Sequence, residues 1–215
     1  MSRDRLPRIN ADDTDSKPPA VIEDRAGAWL LRLTSADGMN RLTRASLSIL
    51  ARWVEELAAE RSPRPLIVTG NQKFFSAGAD LNEISRLSGA GAFDFARNGQ
   101  RLMQLVADFP APVIAAVQGH CFGGGLDLAL ACHRRLAAPN AVFGHRGASL
   151  GLITGWGGTQ RLPRRIGKGR ALQMFCAAEK LTAKEALECG LVERVVDDPV
   201  EAAVTSTQHS VPGTE

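Results

Sequence analysis

No two cysteines in this 215-residue chain stand at the Cys-x-x-Cys spacing of a redox motif or a zinc site; the four present are Cys121, Cys132, Cys176 and Cys189. Such usage fits a reduced protein of the cytoplasm. No apolar run approaches the ~20 residues of a membrane-spanning helix, and the N-terminus is too polar for a secretory signal. Charge of one sign is also in short supply. A formal net charge of +3 is too mild to argue for nucleic acid or membrane as a partner. Basic residues do gather at Arg161, Arg164, Arg165, Lys168 and Arg170, which reads as the solvated face of a helix, with phosphate binding as the alternative. Histidine is scarce, and the one histidine after His145 is His209. That scarcity disposes of one motif. Gly147-Ala148-Ser149-Leu150-Gly151 fits the Gly-x-Ser-x-Gly of serine hydrolases, but such an enzyme needs a helix directly after the serine and a histidine later in the fold. The glycine-rich stretch after Ser149 is poor helix material, and His209 lies in a polar tail.

What the chain does have is glycine in informative places. Gln118 to Leu128 carries Gly119, Gly123, Gly124 and Gly125 between the apolar run Val113–Val117 and a helical stretch through Ala131. A buried strand, a tight turn and a helix N-terminus follow from that pattern. Such a turn lets backbone N–H groups approach a ligand closely, and the helix end points unpaired donors at an anion or a developing oxyanion. Lys73 to Leu81 repeats the arrangement: it follows the brief apolar run Pro65–Thr69 and leads into helical sequence from about Ala90 to Asp108. Two such loops at the ends of successive strands make a possible two-donor clamp on one oxygen. Elsewhere, Ala20–Asp24 and Ala28–Thr34 read as paired strands. Thr43 caps a helix to about Glu60 with Leu47, Leu50, Val54 and Leu57 on one face. Further helices are expected over Thr159–Ile166 and Lys168–Ala178, and Thr182 to Glu185 reads as a capping box for a short helix that Gly190 closes.

Several of these stretches together resemble the enoyl-CoA hydratase/isomerase family, the crotonases. The resemblance is carried by Asn40 with the helix after it, Phe75-Ser76-Ala77-Gly78-Ala79-Asp80-Leu81, Gly119-x-x-x-Gly123-Gly124-Gly125, Gly157-Gly158-Thr159-Gln160-Arg161-Leu162, and Leu181 to Val192. It implies an α/β fold, a spiral of ββα units, over residues 20–197. It also implies an acyl-CoA ligand, no cofactor beyond the coenzyme A of the substrate, and an oxyanion hole made by the N–H groups of Ala79 and Gly124. Arg41, Ala77, Gly78, Asp80, Gly123 and Gly147 take the places of substrate-binding residues. Residues 1–19 are expected to be a disordered lead-in. Residues 198–215 are expected to be a short polar tail in place of the family's C-terminal helices, so that a trimer-based homo-oligomer, if formed, would be weakened.

Hydratases of the family use two glutamates. Asp127 stands at the first position, in the first turn of the helix after the glycines. Gly147 stands at the second, after Phe143-Gly144-His145-Arg146, and glycine cannot transfer a proton. With Asp127 as the single acid/base, the resemblance points to isomerisation or slow hydration of an enoyl thioester. The alternative is a catalytically quiet acyl-CoA-binding or subunit protein of the same fold. His145 and His120 are candidates to replace the missing carboxylate, and Arg146 to hold a carboxylate or a phosphate of coenzyme A.

Overall fold

The computed structural model describes residues 18–208. Most of the expected lead-in, and the end of the expected tail with His209, lie outside the described residues. β1 (Ala20–Arg25) and β2 (Ala28–Leu33) form an antiparallel hairpin with Arg25 opposite Ala28. Its two turn residues, Ala26 and Gly27, take positive φ of 48° and 92°, which suits the right-handed twist of the strands. β3 (Arg41–Leu42) leads into α1 (Arg44–Ala58), where Thr43 and Ser46 close a capping box and Leu47, Leu50, Val54 and Leu57 are buried.

From there the chain repeats a unit of strand, strand, helix. The first is β4 (Leu66–Thr69) and β5 (Phe74–Ser76), followed by short β6 (Gly78–Ala79), a single turn α2 (Leu81–Ile84) and α3 (Gly89–Ala107). The second is β7 (Val113–Val117), β8 (His120–Phe122) and α4 (Gly124–Ala131). The third is β9 (Arg134–Ala137) and β10 (Val142–Gly144), then a 3-10 turn over Arg146–Leu150, α5 (Gly158–Ile166) and α6 (Lys168–Cys176). β11 (Lys180–Thr182), α7 (Ala183–Glu188), β12 (Arg194–Val195) and α8 (Pro199–Gln208) follow. The first strand of each unit joins a sheet of order β1-β2-β4-β7-β9-β12, and the second joins a sheet of order β11-β10-β8-β5. This is the ββα spiral that the motifs implied. The expected turn straight from Val117 into a helix is interrupted by β8, whose pairing partners are β5 and β10. Three residues paired only to distant strands leave little local signal.

The larger sheet buries both faces. In β7, Val113, Ala115 and Val117 join the main core, whereas Ile114 and Ala116 face a second cluster with Leu30 of β2 and Ile67 of β4. Strands apolar at every position are what such burial requires. The second cluster is roofed by Val200, Ala203 and Val204 of α8. The stretch expected as an unpatterned polar tail is therefore a helix as far as Gln208. Asp198 Oδ1 accepts the N–H groups of Val200 and Glu201 at 3.0 Å each, and Pro199 takes the first helical position. The buried residues Val200, Ala203, Val204 and Thr207 recur at helical spacing.

Candidate active site

Three neighbouring parallel strands of the smaller sheet, β5, β8 and β10, end at one edge and deliver the motif residues there. Phe122 pairs with Gly144, so Gly123 and His145 leave the sheet side by side, and the Gly123 N–H donates to Gly144 O at 2.9 Å. Ser76 pairs with Cys121, which brings the loop after β5 level with the glycine turn. The carboxyl ends of parallel strands are where ligands bind in α/β folds. Here they surround a cavity of about 570 Å³ whose walls include Ala79, Gly124, Asp127, His145, Trp156 and Phe175.

The backbone of that edge is tightly set. Gly78 has φ 91°, and a Cβ there would lie 2.6 Å from Phe122 O and 3.0 Å from Gly124 N. Only glycine permits this approach, which puts the segment before Ala79 against the first residue of α4. The Asp80 N–H donates to Leu42 O at 3.1 Å, so the N–H of Ala79, one residue earlier in extended backbone, faces away from β3. The N–H of Gly124 belongs to the first turn of α4, where no intrahelical acceptor exists. A small network holds the loop. Asn40, at φ 52°, donates to Phe74 O and Phe75 O at 2.9 and 3.2 Å. The Ser76 hydroxyl donates to Asn40 O at 2.7 Å and accepts the Gly78 N–H at 3.1 Å.

Asp127 is 1% exposed on a helix whose every residue is buried. Burial pushes its carboxyl up to about 6, against the Thr154 hydroxyl, the N–H groups of Trp156 and Gly158, and the Arg161 guanidinium, which pull it down. Thr154 Oγ1 donates to Oδ2. Oδ1 is buried without a hydrogen bond of good geometry, so Trp156 and Gly158 act on it as nearby dipoles at the N-terminal end of α5. His145, 3% exposed, places Nε2 3.6 Å from Asp127 Oδ1. Burial pushes its imidazole down to about 4. At neutral pH the two are a carboxylate and a neutral imidazole.

Of the residues singled out in the sequence, Ala77, Ala79, Gly123, Gly124, Asp127 and Gly147 line the cavity. Gly78 sits behind the wall. Arg41 and Asp80 do not reach the cavity. The Arg41 guanidinium is engaged by Asp37, and the Asp80 carboxylate caps α2 by accepting the Glu83 N–H at 3.0 Å. His120 lies between the rings of Phe74 and Phe122 and off the cavity wall, while Arg146 is exposed on the cavity's rim. A Cβ on Gly147 would lie 2.8 Å from Leu152 O, so this position is sterically committed to glycine in the present loop. Ser149 uses its hydroxyl within its own turn, to Arg146 O at 2.8 Å.

Sequence reasoning missed Thr154, Trp156 and the inward turn of Arg161. Trp156 is 4% exposed, and a Cβ on either Gly99 or Gly124 would collide with its indole. Two glycines on different helices thus make its slot. Arg161 leaves the solvated face expected for it and donates to Trp156 O at 3.2 Å. The Gly157-to-Leu162 motif was the available signal, but which side chains it turns inward is a matter of packing. Among the described residues no three His, Cys, Asp or Glu side chains gather as a metal site.

The family model for enoyl-CoA hydratase/isomerase matches residues 23–210. The chain is 41% identical to the "Probable enoyl-CoA hydratase" of Bacillus subtilis (strain 168), over 75% of this chain and 63% of that protein. It thus spans less than two thirds of that relative's length. It is 38% identical to the crotonyl-CoA hydratase of Syntrophomonas wolfei, over 82% of this chain and 68% of that one. The structure of Pseudomonas aeruginosa DspI superposes with a TM-score of 0.85 at 34% identity, covering 94% of this chain and 85% of DspI.

Proposed function

The chain belongs to the enoyl-CoA hydratase/isomerase family, and we propose that it acts on acyl-CoA thioesters through an enolate. The N–H groups of Ala79 and Gly124 hold the thioester oxygen, and Asp127 carries the proton. The observation that supports this most directly is the convergence of two backbone donors and one buried carboxylate on the same cavity. As a base removes a proton beside the thioester, or a nucleophile adds to its double bond, negative charge moves onto that oxygen. A donor already aimed at it is worth about 2.7–4 kcal/mol in the transition state. Coenzyme A enters as part of the substrate, with no separate cofactor. Asp127 alone suffices to shift a double bond: its carboxylate takes a proton from one carbon and returns it to another. Hydration with that single carboxylate would be slow, because water also has to be held.

The name of the Syntrophomonas relative makes crotonyl-CoA the first substrate to try, with 3-butenoyl-CoA for double-bond migration. Four free cysteines suit a reducing compartment such as the cytoplasm, and no helix among the described residues is long and apolar enough to cross a membrane. Asp127→Asn is expected to lower both turnovers by about 10²–10⁴-fold while acyl-CoA still binds. The thioether S-butyl-CoA, which lacks the carbonyl oxygen, is expected to bind at least about tenfold more weakly than butyryl-CoA, a difference of about 1.4 kcal/mol. Equal binding of the two would overturn the oxyanion hole. Tight binding of every thioester with turnover of none would leave the quiet binding protein instead.

A further inference from the structure

Two of the histidines contrast sharply. His133 is a satisfied structural residue: its Nδ1 accepts the Val113 N–H at 2.9 Å, and its Nε2 lies 3.0 Å from Ala107 O. His145 is buried more deeply, yet neither of its ring nitrogens has a partner, and Asp127 Oδ1 beside it has none either. The 3.6 Å between Nε2 and Oδ1 is too long for a hydrogen bond. An unpaired buried donor or acceptor costs about 1–3 kcal/mol, and both residues open onto the cavity. The fold therefore holds two orphaned polar atoms side by side where the substrate would lie. Phe175 packs against the imidazole with ring centroids 5.2 Å apart, so the ring is fixed while its tautomer is left free. Thr154 ties up Asp127 Oδ2, which leaves Oδ1 as the available oxygen.

Building on the thioester reading above, we infer that His145 and Asp127 form one proton-carrying pair that holds a water molecule on its cavity side, in reach of both Nε2 and Oδ1, for addition to the β-carbon. His145 thereby takes up the role that Gly147 cannot fill. As the water oxygen bonds to the β-carbon, its proton passes to Nε2, and the electron pair of the double bond moves to the α-carbon and thioester oxygen. Asp127 Oδ1, the more basic of the two, takes that proton on from the imidazolium. The same proton then goes from Oδ1 to the α-carbon, which restores the carboxylate beside a neutral imidazole and leaves a 3-hydroxyacyl thioester. No proton is gained or lost by the protein.

His145→Gln keeps the side chain's length and hydrogen bonding but cannot titrate. His145→Ala opens a hole for added imidazole. Hydration of crotonyl-CoA is the readout, with isomerisation of 3-butenoyl-CoA and acyl-CoA binding measured beside it and folding checked by thermal melting. The pair requires the His145→Gln kcat for hydration to fall by about 10²-fold or more, with KM changed by less than about threefold. The ratio of hydration to isomerisation should fall at least about tenfold, and imidazole should partly restore hydration to His145→Ala. Hydration by His145→Gln within about threefold of wild type, or a folded His145→Ala that binds acyl-CoA but is not rescued, overturns the pair and leaves the thioester reading standing. A wild-type protein that binds acyl-CoA but does not hydrate crotonyl-CoA also overturns it. A wild type that binds no acyl-CoA overturns both.

Discussion

Asp127 shows at single-residue scale what a buried carboxyl costs the fold around it. Its folded carboxyl titrates near 6 rather than the ordinary 3.8, chiefly because it is buried. A raised pKa means that the folded state holds the proton more tightly than the unfolded chain does. The associated stability is present below pH 4 and is lost as pH rises through 6. Asp127→Asn should accordingly be more stable than wild type at pH 8 by about 1–3 kcal/mol. The difference should shrink between pH 6 and pH 4 and vanish below. Paired thermal melts across that range check it, and a variant less stable at pH 8 would mean that the carboxylate's own bonds outweigh its burial. Nearby, Gly147 shows the opposite limitation. A carboxylate cannot simply be placed there, because its Cβ would press on the Leu152 carbonyl.

Among the elements, α8 shows how little polarity says about burial. Most of its residues are small or polar, yet Val200, Ala203 and Val204 close one face of the larger sheet over Leu30, Ile67, Ile114 and Leu136. Each fully buried branched side chain contributes about 1.5–3 kcal/mol. Val204 is 8% exposed, so Val204→Asp sets an unpaired charge against that face. A loss of about 2–4 kcal/mol is expected, measurable by urea unfolding. Acyl-CoA affinity should persist at low temperature, because the edge that forms the cavity belongs to the other sheet. A neutral effect on stability would show that the helix does not depend on this contact.

For the molecule as a whole, binding and stability are linked through the site's walls. Trp156 lodges its indole between α3 and α4 while its carbonyl accepts Arg161 of α5, so three helices meet at this one residue beside the cavity. A ligand that fills the cavity binds only the assembled arrangement. Crotonyl-CoA at about a hundred times its Kd should stabilise the fold by about 2.7 kcal/mol, a rise in Tm of about 5–10 °C for a chain of this size. Thermal shift with coenzyme A alone as control measures it, and an unchanged Tm at saturating thioester would contradict the site.

The sequence by itself determined the strands that are apolar at every position, the capped helices α1 and α7, and the two glycine loops, because these depend on near neighbours and on backbone sterics. It also placed Asp127 on the first turn of α4 and a glycine, with no side chain to carry a proton, at position 147. It did not determine β8, which exists only through pairing with β5 and β10. Nor did it show α8 as a roof, although Asp198, Pro199 and the 200/203/204/207 stripe were legible start and period signals. Tertiary structure alone decided that Arg41 and Asp80 stand off the cavity and that, of the two candidate histidines, His145 and not His120 meets Asp127. The physical reason is that register between parallel strands, set residues apart in the chain, fixes which side chains leave the sheet together.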